Sequence, residues 1–571
     1  MADSKTVLGI SCYYHDSAAA LVRGGRIVAA AQEERFDRVK YSQVFPLNAI
    51  NFCLQQAEIT MQDVDAVAFY EKPFLKFARV LTAHLRSYPF SLVNFIQTMP
   101  AWLEERLSFP ITLRERLGFE KDVYYLKHHQ SHAASTFLVS PFEEAAIITV
   151  DGIGEWASTS WGVGRGRKVS VHQELHYPDS LGLLYAAVTT FLGFPVFVGE
   201  GKVMALASYG KPVYLEQFRK LLEMGPEGSF RLNGRYFSFA RGKRMYNQRF
   251  VDLLGPAKAP EEEFTQRHFD IAASLQRVTE EALLGLARHV QRETGLKKAC
   301  LAGGVFLNVV ANSRILEETD FDELYIQPAA GDAGGALGAA CYVSHCLLDQ
   351  PRTEVMNNAY LGPQYSERHC ERLLTNAGIP FRRLPEDELL PLVASHIANG
   401  RIVGWFQGRM EFGPRALGAR SILADPRLAD MKEVLNDRVK HREWFRPYGV
   451  SVMAEHYADY FVLSRESPFM LLVGAIRPGR EKEIPAAVHV DGTCRLQTVT
   501  DAHNGVYYRL IREFHRQTGV PMVINTSFNV QEPIVCTPEE AIACYSRTQM
   551  DCLVLGSLLA EKAEKTDGSA L

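Results

Sequence analysis

One order of elements is written twice in this chain. An apolar run at 6–11 enters a polar turn, Cys12-Tyr13-Tyr14-His15-Asp16-Ser17. It continues through an apolar run at 18–22, the turn Arg23-Gly24-Gly25 and a third run at 26–32. The same order returns at 146–150, Asp151-Gly152-Ile153-Gly154-Glu155, 156–163, Gly164-Arg165-Gly166-Arg167 and 168–174. Short apolar runs separated by glycine turns predict strands and hairpins. Two strand–turn–strand–hairpin–strand units, each followed by helical sequence, predict a duplicated α/β core. A ligand would sit between the two polar turns.

The second of those turns follows a histidine cluster. His128-His129-Gln130-Ser131-His132 leads into the small residues Ala133-Ala134-Ser135, which read as helix. On a helix His128 and His132 lie one turn apart on one face, so two imidazoles can hold one metal ion. His129 points elsewhere. Asp151, at a strand end before a glycine, suits a third ligand. Asp332 opens a later helix of very small residues, 332–340, and either caps that helix or completes the metal site. Between them, Gly303-Gly304-Val305-Phe306-Leu307-Asn308 links a strand at 298–302 to a helix. Glycines there let a backbone approach a ligand and expose amide donors.

The stretch at 347–365 has little periodicity and holds Asp349-Gln350-Pro351, Asn357-Asn358 and Gly362-Pro363. It predicts a boundary between a domain over 1–355 and one over 356–571. The later part gathers cations beside glycine and proline. Arg409, Arg415 and Arg420 fall within twelve residues, Lys440, Arg442 and Arg446 follow, and then Arg495. Val523-Ile524-Asn525-Thr526-Ser527-Phe528-Asn529 supplies amides and hydroxyls at a strand end. Arginine grips phosphate bidentately and lysine as a point charge. This group predicts an anion or nucleotide-phosphate pocket.

Composition excludes little and admits a soluble enzyme. Of 571 residues 47% are hydrophobic and 22% charged. The net charge of -4 makes no electrostatic case for nucleic-acid binding. No apolar run long enough for a membrane span and no signal-peptide core are expected. The ten cysteines are scattered without a C-x-x-C pair, which fits reduced thiols in a cytoplasm. Neither a P-loop nor a G-x-S-x-G elbow is present.

These motifs resemble the O-carbamoyltransferase family of antibiotic and nodulation-factor biosynthesis, the NodU/CmcH type. The resemblance is carried by Tyr14-His15-Asp16-Ser17-Ala18-Ala19, Glu33-Glu34-Arg35-Phe36, His128 to Ala133, Val150-Asp151-Gly152 and Gly199-Glu200-Gly201-Lys202-Val203-Met204. It continues through Ala302 to Asn308, Gly331-Asp332, Gly413-Pro414-Arg415-Ala416-Leu417-Gly418, Arg446-Pro447 and Asn525 to Asn529.

The resemblance implies an actin/sugar-kinase-like (ribonuclease-H-like) duplicated domain followed by a YrdC-like α/β domain. It implies ATP and carbamoyl phosphate as co-substrates, with magnesium accompanying ATP. Carbamoyl-adenylate would form in the second domain, and the carbamoyl group would pass to an acceptor hydroxyl in the first. His128, His132, Asp151 and Asp332 would hold iron(II), although an N2O2 donor set also admits zinc or manganese. His15 would act as general base or merely hydrogen-bond its turn. Gly303, Gly304 and Asn308 would approach nucleotide. Arg415, Lys440, Arg446 and Arg495 would bind phosphates, with Asn525 and Ser527 completing that pocket, and Arg415 and Lys440 acting in catalysis.

The expected partner is a small hydroxylated natural product, with no nucleic acid or membrane. Residues 80–116, rich in Phe, Leu, Pro and Trp, read as an acceptor-pocket wall, a homodimer contact or core. A tRNA-modifying (threonyl)carbamoyl transferase and a nucleotide-binding chaperone or regulator on the actin-like fold are the competing readings. The charge disfavours the first. The second has no need of the histidine pair.

Overall fold

The computed structural model describes residues 4–562 except residues 90 and 240–243. The chain forms two compact units, Met1–Met356 and Asn357–Leu571.

In the first unit β1 (Thr6–Ser11), β2 (Ala18–Arg23), β3 (Arg26–Gln32), β4 (Ala66–Phe69) and β5 (Asp122–Tyr125) form a sheet in the order β3-β2-β1-β4-β5. The first three strands are an antiparallel meander, and β4 and β5 run parallel to β1. A second sheet holds β6 (Glu144–Val150), β7 (Ala157–Arg165) and β8 (Lys168–His176). After a small hairpin of β9 (Leu222–Met224) and β10 (Phe230–Leu232), it is completed by β11 (Lys298–Ala302) and β12 (Glu323–Ile326). Its order is β12-β11-β6-β7-β8, again a meander with two strands parallel to the first. The expected duplication is therefore present strand for strand, and it makes this unit ribonuclease-H-like in the actin/sugar-kinase manner.

Four helices position the site: α1 (Pro73–Arg86), α2 (His128–Phe137), α3 (Gln266–Thr294) and α4 (Val309–Glu318). A fifth, α5 (Asp332–Tyr342), is made of very small residues for a steric reason. A Cβ on Gly9 of β1 would lie 1.9 Å from the Ala336 carbonyl oxygen, and one on Gly338 would lie 1.9 Å from the Ser131 carbonyl oxygen. Helix α5 thus lies directly between β1 and α2, and any larger residue would push them apart. That packing brings the first residue of α5, Asp332, to α2.

Helix α3 begins at Gln266, directly after its capping residue Thr265. Strand β12 stops at Ile326, ahead of Gln327 and Pro328. Proline has no N–H to give a ladder. Residues 80–116 supply surface as well as core. Leu85, Tyr88, Val93, Ile96 and Leu103 are exposed, whereas Trp102, Phe109 and Leu113 are buried.

The second unit is also α/β. Its ten-stranded mixed sheet contains, in chain order, β13 (Phe381–Arg383), β14 (Val403–Phe406), β15 (Arg420–Ala424), β16 (Gly449–Met453) and β17 (Phe461–Val462). It continues with β18 (Leu472–Ile476), β19 (Thr493–Val499), β20 (Met522–Ser527), β21 (Cys552–Leu555) and β22 (Leu558–Glu561). The spatial order is β13-β22-β21-β14-β15-β20-β16-β19-β18-β17. Ile422, Ile524, Phe528 and Leu553 fill the core. Among the described residues no helix is long and apolar enough to cross a membrane.

Candidate active site

Helix α2 presents His128 and His132 on one face, β6 delivers Asp151 at its end, and α5 opens with Asp332. Both histidine Nε2 atoms face one carboxylate oxygen, Asp151 Oδ2, at 2.9 and 3.0 Å, and they lie 3.1 Å from each other. Asp332 Oδ1 stands 3.6 and 3.7 Å from the same two nitrogens. All four residues are buried, with exposures of 5% or less. Neither carboxylate oxygen of Asp332 has a hydrogen-bond partner. An orphaned buried carboxylate is costly unless a cation meets it. The cage therefore fits a divalent ion, which would draw on two imidazoles and two carboxylates.

Without an ion the charges hold one another. Burial would push His132 down, but its hydrogen bond to Asp151 and the Asp332 carboxylate reverse this and raise it to about 9. At 3.7 Å the Asp332 contribution is electrostatic attraction, not a hydrogen bond. Burial would raise Asp151, yet the two histidine hydrogen bonds hold it well below the usual carboxylate range.

Neighbouring groups fix the cage. Asp151 Oδ1 accepts from the amides of Gly152 and Gly304 at 2.7 and 3.2 Å, which turns Oδ2 to the histidines. Glu155 accepts the His128 amide at 3.0 and 3.1 Å and the Lys72 amide at 2.8 Å, pinning the first turn of α2. Glu155 is visible in the sequence as an acid in the turn after β6, but its role depends on α2 arriving beside it. His129 points away to Thr149 Oγ1 at 2.6 Å.

His15 lies at the edge of this cage. Its Nδ1 is 2.9 Å from Asp16 Oδ2 and its Nε2 3.8 Å from Asp332 Oδ2. The rings of Tyr14 and Phe197 pack on it at 4.7 and 4.5 Å. Burial would lower His15, but the Asp332 charge and the Asp16 hydrogen bond raise it to about 9.

The glycine turn serves the cage. Gly303 has φ +100°, and a Cβ there would lie 2.2 Å from the Val150 carbonyl oxygen, next to Asp151. Its amide donates to the Ala330 carbonyl at 2.7 Å. Asn308 accepts from the Ala311 amide at 3.1 Å, capping α4, and exchanges hydrogen bonds with Gln276 of α3 at 3.0 and 2.8 Å. Gly303 and Asn308 thus have internal partners at the groups expected to meet a nucleotide.

The second unit gathers cations. Arg495 on β19 is held well below the usual guanidinium range, first by burial and then by the charges of Arg415, Arg442 and Arg446. Arg442 is pushed down to about 10, chiefly by burial and further by Arg446, and lies over the Tyr448 ring at 4.2 Å. Depression of Arg495 and Arg442 by neighbouring guanidiniums marks like charges gathered for an anion. Arg442 belongs to the cation group read from the sequence, but not to the phosphate ligands that the resemblance implies. Arg446 meets Glu443 at 3.7 Å. The Glu411 carboxylate braces the loop that carries Arg415 by accepting the amides of Leu417, Ala419 and Arg420 at 2.7, 2.7 and 3.2 Å.

The other two arginines of that stretch do structural work. Arg420 is fully buried over the Phe406 ring at 3.6 Å and donates to the carbonyls of Gln407, Gly408, Ala419 and Pro363. Arg409 donates to Gly362 and Leu361.

Lys440 differs from the clustered arginines. Its ammonium is buried and donates to the Ser527 carbonyl, the Asn529 carbonyl at 2.9 Å and Asn529 Oδ1 at 2.8 Å. Burial holds it well below the usual lysine range. Ser527 Oγ donates to the same Asn529 Oδ1 at 2.8 Å. Asn525 Nδ2 donates to Ser451 Oγ at 2.9 Å and to Ala416 O and Gln497 Oε1 at 3.2 Å each. Lys440→Ala would strand these acceptors, and each costs about 1–3 kcal/mol when left unmade. We expect a loss of roughly 3 kcal/mol in unfolding free energy, read by urea denaturation. Wild-type stability of the variant would show that Lys440 anchors nothing.

A second group, His396, Cys552 and Glu561, also clusters in this unit. There Arg401 Nη1 lies 3.1 Å from both His396 Nδ1 and Glu561 Oε1, so a guanidinium stands where a metal ion would be repelled.

Family models match both units. The carbamoyltransferase N-terminus model covers residues 6–341 and the carbamoyltransferase C-terminus model residues 394–562. The chain belongs to the carbamoyltransferase family. An uncharacterised protein of Synechocystis is 47% identical over 97% of this carbamoyltransferase and 96% of its own length. Nodulation protein NolNO of Sinorhizobium fredii is 38% identical over 96% of this chain and 79% of its own. Nodulation protein U of Rhizobium tropici is 29% identical over 93% and 92%. Among solved structures, a ROK hexokinase from Thermus thermophilus aligns at a TM-score of 0.28 and 16% identity, over 59% of this chain and 98% of its own. Full-length HypF aligns at 0.32 and 13%, over 59% and 55%. The fold assignment of this carbamoyltransferase rests on strand order, not on those likenesses.

Proposed function

We propose that this enzyme is an ATP-dependent O-carbamoyltransferase with divided labour. Carbamoyl phosphate, ATP and water give carbamoyl-adenylate, phosphate and pyrophosphate in the second unit. The carbamoyl group then passes to a hydroxyl of a small natural-product acceptor in the first. The observation that carries this reading is a contrast between the units. The first holds a buried cage of two imidazoles and two carboxylates, and the second a cluster of guanidiniums whose charges depress Arg495.

In the second unit Arg415, Arg442, Arg446 and Arg495 bind the phosphates of ATP, which carries magnesium, and of carbamoyl phosphate. Lys440, Ser527 and Asn525 hold the strand end that shapes this pocket. In the first unit His128, His132, Asp151 and Asp332 would hold iron(II), with zinc or manganese as alternatives. Such an ion supplies Lewis acidity at a carbonyl or a phosphate oxygen. Asp16 keeps a proton on His15 Nδ1, and a cation held by Asp332 would cancel the charge that raises His15. Nε2 is then free to take the proton of the acceptor hydroxyl as its oxygen attacks the carbamoyl carbon and AMP departs. The glycine turn holds Asp151 in place, with the Gly304 amide on Asp151 Oδ1 and the Gly303 amide on the Ala330 carbonyl. We place the enzyme in the cytoplasm, acting on a small molecule and not on nucleic acid or membrane, with a homodimer through residues 80–116 in keeping with their exposed apolar side chains.

Labelled carbamoyl phosphate, supplied with ATP to a panel of hydroxylated compounds, tests the scheme. We expect label in an acceptor and one pyrophosphate released for each carbamoyl group activated. Label transfer that proceeds fully without ATP would overturn it.

A further inference from the structure

The first unit contains a cavity of about 600 Å³ apart from the metal-ligand cage. That volume lies in the range of small-molecule sites. Tyr177, Phe237 and Phe239 give it aromatic walls, Ser87 lies at its edge, and Arg235 and Arg249 stand at its rim. Phe237 and Phe239 are stacked, with centroids 5.0 Å apart and planes at 11°. Both arginines are exposed, and neither has an ion-pair partner among the described residues. An aromatic wall with two uncompensated guanidiniums at its mouth suits a flat or ring-shaped ligand that carries negative charge.

Two lines connect the cavity to the cage. The Asp151 carbonyl accepts from Ser180 Oγ at 3.2 Å, and the adjacent Asp179 accepts the amide of Leu232, a cavity residue, at 2.8 Å. On the other side Arg79 lies over the Tyr177 ring at 5.6 Å and within electrostatic reach of Tyr14, whose ring packs on His15. The cavity is thus linked to Asp151 through Asp179 and Ser180, and to the neighbourhood of His15 through Tyr177, Arg79 and Tyr14. Ser87 belongs to residues 80–116, for which an acceptor-pocket wall is one of the expected roles.

We propose that this cavity is the acceptor site, and that the acceptor is a hydroxylated ring compound bearing an anionic group. The inference rests on the carbamoyl-transfer reading, since that reading calls for an acceptor. Stacking on Tyr177, Phe237 and Phe239 would hold the ring, and Arg235 and Arg249 the anion, with a hydroxyl left to face His15.

Three probes test it by equilibrium dialysis with the full-length protein: 4-nitrophenyl β-D-glucopyranoside, its 6-phosphate, and AMP. The phosphorylated glucoside should bind at least roughly tenfold tighter than the neutral one, as a charge-assisted bidentate pair provides. In the double variant Arg235→Gln/Arg249→Gln the two glucosides should bind alike. Both changes are at exposed positions, so the fold is kept. Phe239→Leu should weaken both glucosides together. Equal binding of the two glucosides by wild type, or an unchanged preference in the double variant, overturns the proposal. Binding of AMP at least roughly tenfold tighter than the phosphorylated glucoside, with displacement of it, also overturns the proposal, since the cavity would then be a nucleotide site. Wild-type pyrophosphate release from ATP and carbamoyl phosphate is measured alongside. Its failure would count against the two-step reading and would leave the binding result to stand or fall by itself.

Discussion

His132→Ala leaves the protein folded, empties the metal cage and reduces carbamoyl transfer by about three orders of magnitude, equivalent to roughly 4 kcal/mol of transition-state stabilisation. His132 Nε2 is 3.0 Å from Asp151 and 3.1 Å from His128 Nε2, so its removal opens the donor set on the side of α2. His129 is the internal control. It is as buried as its neighbours but bonds to Thr149, so His129→Ala should lose stability and keep the metal. Elemental analysis of the two purified variants decides between them. Equal metal content in both would remove His132 from the ligand set. Pyrophosphate release by His132→Ala should stay near wild type, because Asp332, Asp151 and both histidines belong to the first unit.

Arg495→Ala is expected to fail in the opposite way. Adenylate formation should fall by about two to three orders of magnitude, since removing a charge-assisted phosphate ligand from a desolvated pocket costs roughly 2–4 kcal/mol. Arg415→Ala should behave similarly. Arg446→Ala should cost only about tenfold, because that side chain is 36% exposed and screened by water. Carbamoyl transfer by Arg495→Ala should return when synthetic carbamoyl-adenylate is supplied, and the same supplement should do nothing for His132→Ala. Rescue of both variants, or of neither, would leave one composite site as the better account.

The metal cage was half legible. His128 and His132 could be paired from sequence because helical periodicity is local, four residues and one face. Asp151 was suggested by its place at a strand end. Asp332 remained either a helix cap or a ligand. The choice depended on α5 lying against β1 and α2, a packing made possible by Gly9 and Gly338 but not readable as a distance. Glu155 stands in the turn after β6, yet its hold on His128 requires two elements to meet in space.

The cation cluster shows the limit more sharply. Arg409, Arg415 and Arg420 look alike in a chain of letters, spaced among glycine and proline. Their partners separate them. Arg420 donates to carbonyls of residues as distant as Pro363, and Lys440 to carbonyls 87 and 89 residues onward. Arg442, one of the cations grouped from the sequence but not among the ligands the resemblance implies, joins the arginines that depress Arg495.

The order of strands and turns, the duplication, the histidine spacing and the family were all written in the sequence. They depend on periodicity and on motifs whose chemistry is local. Only the tertiary structure could say which buried cation meets a carbonyl and which meets other cations, or that Asp332 stands 3.7 Å from His132. Those outcomes turn on long-range packing and on the loss of water around charges. Both arise only when distant segments close on one another.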